Sequence, residues 1–200
     1  METQPIKHNI APEDPSVVHE ASKLGIWTFL ATEVLLFGGL FTAYTVFKLK
    51  YPEMFHAQHM HMNKVIGAAN TVVLICSSLT VALGIAAIKR GRVAMLKACL
   101  ALTIFLGAVF LVVKYFEWQE HFAQGLYPSS NIYFSLYYMM TGLHGIHVLA
   151  GMAALAVMLV MAQRGRFSEE YSTPVEITGV YWHFVDLVWI YLFPMLYLIG

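Results

Sequence analysis

Residues 132–162 read IYFSLYYMMTGLHGIHVLAGMAALAVMLVMA, thirty-one positions with no Asp, Glu, Lys or Arg among them. At about 1.5 Å of rise per residue, roughly 20 residues of helix cross a hydrocarbon core about 30 Å thick, so this run more than spans a bilayer. It is too long to stand upright and is expected to tilt, or to continue into water past Met158. Four other runs reach bilayer length, Leu24 to Phe47, Val65 to Ile88, Ala94 to Phe116 and Val175 to Ile199, and the five together take 127 of 200 positions. Too little chain is left for a separate soluble domain. Only helices and closed barrels satisfy their backbone groups in lipid, and barrel strands would alternate apolar and polar residues, which these runs do not. The sequence therefore predicts an all-α integral membrane bundle of five transmembrane helices over residues 22–200.

Composition agrees with that reading. Hydrophobic residues make up 58% of the chain and charged residues 12%, against roughly 45–50% and about 25% in soluble proteins. Twelve Lys and Arg balance twelve Asp and Glu, so no basic excess exists to neutralise a nucleic-acid backbone. The two cysteines, Cys76 and Cys99, lie in apolar runs without metal or disulfide spacing and read as small buried hydrophobes. Residues 1–21, with three prolines, four acidic side chains and no apolar core, read as a polar arm and not a signal peptide. Breakers separate the runs, at Pro52, Gly91, Pro128, Gly165 and Pro174, and Pro194 falls inside the fifth run, where it removes the bond to the Ile190 carbonyl and is expected to kink the helix.

Orientation follows from the basic residues of the short connections. Lys7, Lys23, Lys89, Arg90, Arg92, Lys97, Arg164 and Arg166 fall on the amino-terminal side, and Lys48, Lys50, Lys64 and Lys114 on the other. The amino terminus is thus expected in the cytoplasm and the carboxyl terminus outside.

Ionisable groups in hydrocarbon are costly and need a partner or a task. Glu33 is the tenth residue of the first run, near mid-membrane. His144 and His147 lie three apart and so on one helix face, with Gly151 a turn further on allowing close approach. His183 and Asp186 repeat that spacing in the last run, and Lys114 and Glu117 do so where the third run closes. Two readings stand side by side: interhelical hydrogen bonding, with Asp186 orienting His183 and Lys114 pairing with Glu117 at the interface, or a proton relay, ion path or cofactor pocket. A haem between two histidines needs ligands on opposite sides of the iron, and His144 and His147 share a face, although one of them could face His183. The segment YPEMFHAQHMHMNK reads as a loop and places His56, His59 and His61 among Met54, Met60 and Met62, a weak candidate for a soft metal such as copper. No Walker loop, GxGxxG, HExxH or GxSxG occurs, so nucleotide binding, zinc proteolysis and serine hydrolysis lack their usual supports.

Three blocks in order, HEASKLGIWTFLATEVLLFGGLFTAY (19–44), TGLHGIHVLAG (141–151) and YWHFVDLVWIYLF (181–193), resemble subunit III of haem-copper terminal oxidases, the cytochrome c and quinol oxidases. The second and third runs match only in hydrophobicity. The resemblance implies a chain with no haem or copper of its own, packed on the catalytic subunit I, which holds both and reduces dioxygen while pumping protons. Subunit II, further small subunits and bound phospholipid are implied as neighbours, in a bacterial cytoplasmic membrane. The family's membrane-embedded glutamate matches Glu33, and its helix histidines match His144, His147 and His183. Fuller members have seven helices, and this chain resembles a short form without the first two, which puts the lipid cleft formed by that pair in question. A nitric oxide reductase accessory protein of the same superfamily shares the pattern. A different class, a small transporter using Glu33 and the histidines, would work as its own oligomer and not beside a haem-bearing chain.

Overall fold

The structure is a computed structural model and describes residues 15–169 and 171–199, with side chains from residue 20 onward. Residues 1–14 of the expected polar arm lie outside the described residues, and from Pro15 the chain is already helical. Among the described residues the order is α1 (Pro15–Lys50), α2 (Pro52–His59), α3 (Lys64–Ile88), α4 (Val93–Ala123), α5 (Ile132–Gln163) and α6 (Thr173–Phe193), with a π-turn over Pro194–Leu198. Five of these helices are long and apolar enough to cross a membrane.

Three boundaries differ from the sequence reading. The supposed loop after the first span is helical over Pro52–His59; Pro52 pre-sets its first turn, and Phe55 pins it by burying its ring against Tyr44 and Tyr133, 5.2 and 5.4 Å away. The third span runs on to Ala123, because Glu117 and His121 face inward and do not mark a helix end. In the last span Pro194 is followed by a π-turn, closed by the Ile199 amide on the Pro194 carbonyl at 2.9 Å. Three helix ends, by contrast, use one device. Gly91, Gly125 and Gly165 each adopt a positive φ, and the next amide returns to a carbonyl five residues back, Arg92 to Ala87, Leu126 to His121 and Arg166 to Met161. A left-handed residue with this bond caps the helix, and glycine takes the conformation without a Cβ clash.

Helices α3, α4, α5 and α6 form a ring in which each packs on the next, and α1 lies outside it against α5 and α6. The buried positions repeat at intervals of three and four: Leu74, Ser77, Val81, Gly84 and Ile88 in α3, and Leu100, Thr103, Gly107, Phe110, Lys114, Glu117 and His121 in α4. This is the seam of a left-handed coiled-coil-like bundle. Polar and small residues share the seam with large apolar ones, since lipid and core are equally oily and hydrophobicity alone gives a helix no preferred face.

The outer helix is held by aromatic and polar pins. Leu30, Phe37 and Tyr44, seven apart, are its buried face. The Tyr44 hydroxyl donates to the Met195 carbonyl at 2.9 Å, Lys48 to Ile199 at 2.7 Å and Tyr133 to Leu196 at 3.0 Å, while His59 Nδ1 lies 3.3 Å from the same Leu196 oxygen. Carbonyls left open beyond Pro194 are thereby satisfied by side chains of α1, α2 and α5.

Candidate functional site

Midway along α1, Glu33 meets α5. Its Oε2 lies 2.9 Å from Nε2 of His147, and both side chains are largely buried. The other imidazole nitrogen, Nδ1, is 2.8 Å from the Leu143 carbonyl one turn back. A carbonyl only accepts, so Nδ1 carries a hydrogen, and the Nε2–Oε2 contact holds one proton between two groups that can each take it. Phe37 sets its ring edge-on to His147 at 5.3 Å, and the Tyr181 hydroxyl donates to the His147 carbonyl at 3.2 Å. The pair ties the outer helix to the ring. Beside it an apolar groove of about 320 Å³ opens between α1 and α6, lined by Val34, Phe37, Gly38, Phe41, Leu187 and Tyr191 among others.

A second polar centre lies inside the ring. Lys114 Nζ donates to Glu117 Oε2 at 3.1 Å, to the Tyr137 hydroxyl at 3.1 Å and to the Tyr197 hydroxyl at 2.7 Å. Tyr137 donates to Glu117 Oε1 at 2.8 Å, and Tyr197 donates to the same oxygen. The ammonium also sits 5.2 Å from the centre of the Trp189 ring. Removed from water, the charges are matched by four partners from three helices. Sequence reading paired Lys114 with Glu117 correctly but put them at an interface. Tyr137 reads in the sequence only as a run-end aromatic of the interface belt or core, and Tyr197 carries no signal there, although Lys114, Glu117 and His121 at i, i+3 and i+7 mark one inward face of α4.

The remaining expected residues separate. His144 is buried, with Phe110 edge-on and Trp189 tilted against its ring at 5.5 and 5.3 Å, and neither nitrogen has a hydrogen-bond partner. His144 and His147 therefore share a helix face but not a site. His183 Nδ1 is 2.5 Å from Ser78 Oγ on α3. Asp186 does not hydrogen-bond to His183: both its oxygens are buried without a hydrogen-bond partner, and Ser78 is the polar group near enough to act on it. Ser78 has intercepted the imidazole that the spacing assigned to Asp186. His56, His59 and His61 do not converge. His59 turns inward to Leu196, His56 and His61 stay exposed, and among the described residues no three His, Cys, Asp or Glu gather as a metal site.

Tight packing surrounds these centres. A Cβ built on Gly151 would come within 2.8 Å of the Trp182 ring, and one on Gly107 within 2.9 Å. Trp182, in α6, thus fills clefts in α4 and α5, while its Nε1 donates to Ser77 of α3 at 3.0 Å. The close approach anticipated at Gly151 is real.

The architecture defines a polytopic helical membrane protein in which many of the buried polar groups join one helix to another, with a carboxyl and imidazole pair at mid-span. Comparison with known proteins supplies the family. Residues 7–200 match the family described as cytochrome c oxidase subunit III. A cytochrome c oxidase subunit 3 of Corynebacterium diphtheriae is 33% identical over 96% of both chains, and one of Thermostichus vulcanus is 33% identical over 88% of this chain and 86% of its own. A haem-copper oxidase subunit I+III of Aeropyrum pernix is 30% identical over 97% of this chain, which matches 25% of that longer polypeptide. The chain belongs to the cytochrome c oxidase subunit III family and is a membrane-embedded part of a respiratory oxidase complex.

Proposed function

We propose that this chain is the non-catalytic subunit III of a proton-pumping terminal oxidase, seated against subunit I, with oxygen reduction on the partner chain. The observation that supports this reading is the Glu33–His147 pair, one shared proton at mid-span beside an open apolar groove; in this reading the pair acts on the turnover and proton handling of the neighbouring subunit and the groove takes a phospholipid chain. The Aeropyrum pernix relative, whose name joins subunits I and III in one polypeptide, supports subunit I as the main neighbour.

Haem and copper belong to the partners. The imidazoles here do not fit an axial pair, since His147 is committed to Glu33 and Leu143, His183 to Ser78, and His144 is clasped by Phe110 and Trp189. The burial of Lys114 in its own network removes it from the charge count at that end, leaving eight basic residues against three and strengthening the amino-terminus-in orientation in a bacterial cytoplasmic membrane. Gentle detergent extraction, a native gel and a visible spectrum test the proposal: the band containing this chain should carry haem absorbance, and the separated chain should carry none. Purification as a functional oligomer of this chain alone would favour the transporter reading, and a haem band that stays with the isolated chain would refute the assignment of cofactors.

A further inference from the structure

Most polar side chains of the spans are turned inward or answered by their own helix. Asn70, Ser77, Thr103, Lys114 and Glu117 are buried, and on the exposed side of α1 the hydroxyls of Thr32, Thr42 and Thr45 donate to carbonyls three or four residues back. His183 does neither. It stands ten residues into the 26-residue span Thr173–Leu198, about 15 Å from the end at Thr173 and so near mid-membrane. Its ring is half-buried. A polar side chain at that depth needs a partner, because neither water nor an acyl chain supplies one and the lipid ester oxygens are about 15 Å away.

Ser78 fixes the hydrogen on the imidazole. On the same helix, Thr71, Ser77 and Thr80 donate to a carbonyl three or four residues back. The Ser78 hydroxyl instead lies 2.5 Å from Nδ1 of His183. Asp186 accepts no hydrogen bond, so the Ser78 hydrogen goes to Nδ1. A neutral imidazole with an accepting Nδ1 carries its own hydrogen on Nε2. That N–H meets no acceptor among the described residues, and Nε2 is not enclosed by the bundle as the nitrogens of His144 are.

The surface around this donor has the form of a helix seat. Helices α3 and α6 pack side by side. Ile75 and Ala82, three before and four after Ser78, are exposed, and so are Val180 and Leu187, three before and four after His183. Residues at these intervals share a helix face, so all four flank the Ser78–His183 bond. Ala68 and Ala86 extend the α3 side with small exposed residues, which let another backbone come close.

We infer that the α3–α6 face seats a transmembrane helix of a neighbouring subunit, and that this helix presents an oxygen acceptor, a hydroxyl, amide or carboxyl side chain, to the Nε2 hydrogen of His183. A Lys or Arg side chain, which only donates, does not fit. Ser78 acts by holding the ring in the tautomer that points a donor at the partner. The inference rests on the reading above in one respect, that the neighbour is another subunit of the oxidase.

The test uses the whole complex in its native membrane, with a benzophenone photocrosslinker placed in turn at Ala82 and Leu187. Both positions should attach to one transmembrane segment of another subunit, and peptide mass spectrometry should find Ser, Thr, Asn, Gln, Asp or Glu within a turn of the attachment. Adducts with lipid alone, or with a segment lacking such a side chain, overturn the proposal. His183→Leu should reduce several-fold the fraction of membrane-inserted chain recovered in the haem-bearing band. His183→Gln should keep most of it, since its amide oxygen can accept from Ser78 while its nitrogen donates outward. Should His183→Leu fail to insert, Ala82→Trp, which fills the seat and leaves Ser78 and His183 in place, must give the same loss. Wild-type recovery of both His183→Leu and Ala82→Trp, or a Gln variant no better than Leu, also overturns it. If no haem accompanies the chain while Ala82 and Leu187 still attach to such a segment, the oxidase assignment fails and the interface stands.

Discussion

His147 touches Glu33 through Nε2 at 2.9 Å and its own helix through Nδ1 at 2.8 Å from the Leu143 carbonyl, so the imidazole is held at both ends and only one of its contacts can change protonation. The outer helix is fastened to the ring by a bond that is also a proton site. Glu33→Gln should preserve assembly, because the amide can donate to Nε2 across the same contact, and should alter sustained turnover or proton pumping of the complex. Glu33→Leu leaves Nε2 of the imidazole unpaired and should lower stability by about 1–3 kcal/mol. The fraction of chain recovered in the complex checks both; loss of assembly in the Gln variant would make Glu33 a structural residue.

Hydrophobic carbodiimide should label Glu33 in preference to Glu117, Glu120 and Glu176. Glu33 has a single side-chain partner and stands beside a groove open toward the membrane, whereas Glu117 is occupied by Lys114, Tyr137 and Tyr197. Mass spectrometry of the labelled peptides decides; label on Glu117 would mean the inner network opens.

Lys114→Met should destabilise the complex by about 3–5 kcal/mol, since it strands a buried carboxylate among two hydroxyls. Adding Glu117→Gln removes the orphaned charge and should recover a large part of that loss. Unfolding midpoints in mixed micelles for the two single variants and the double form the cycle; additive losses would deny the coupling seen at 3.1 Å.

Gly151→Ala forces a methyl to within 2.8 Å of the Trp182 ring, so α5 and α6 must part, for a loss of about 1–3 kcal/mol. Gly38→Ala is the contrast, because a Cβ there meets nothing within 4 Å in this chain. Any defect of Gly38→Ala that appears only in the assembled oxidase would locate a neighbour on that face of α1. Equal defects at the two sites in the isolated chain would contradict the packing described.

His59 lies outside the membrane spans, and burial, together with the nearby Lys64, His56 and Lys48, holds its proton affinity below the usual value of 6.5 despite the bond to Leu196. The unfolded chain then binds the proton more readily, so stability rises with pH in this window. The contribution of the neutral ring is complete above about 6.5 and is lost as pH falls toward the lower folded value. Acidification should lower the unfolding midpoint of wild type more than that of His59→Gln. Parallel pH dependence in the two would remove His59 from the docking of the carboxyl-terminal turn.

The number of spans, their order and the presence of Glu33, His144, His147, His183 and Asp186 within them were legible because bilayer length and the rarity of charge in hydrocarbon are one-dimensional properties. Facing was not. In lipid both the outside and the core of the bundle are apolar, so the inward stripe is written in small and polar residues at intervals of three and four, and its meaning depends on which helix comes to lie opposite. Tertiary structure alone decided that Glu33 takes His147 and leaves His144 unpartnered, that Ser78 comes between His183 and Asp186, and that Lys114 is matched by tyrosines 23 and 83 residues away. A side chain in a membrane has no water to fall back on. Its role is fixed by the partner that the packing delivers, and that partner is set by the crossing of helices, which no single helix encodes.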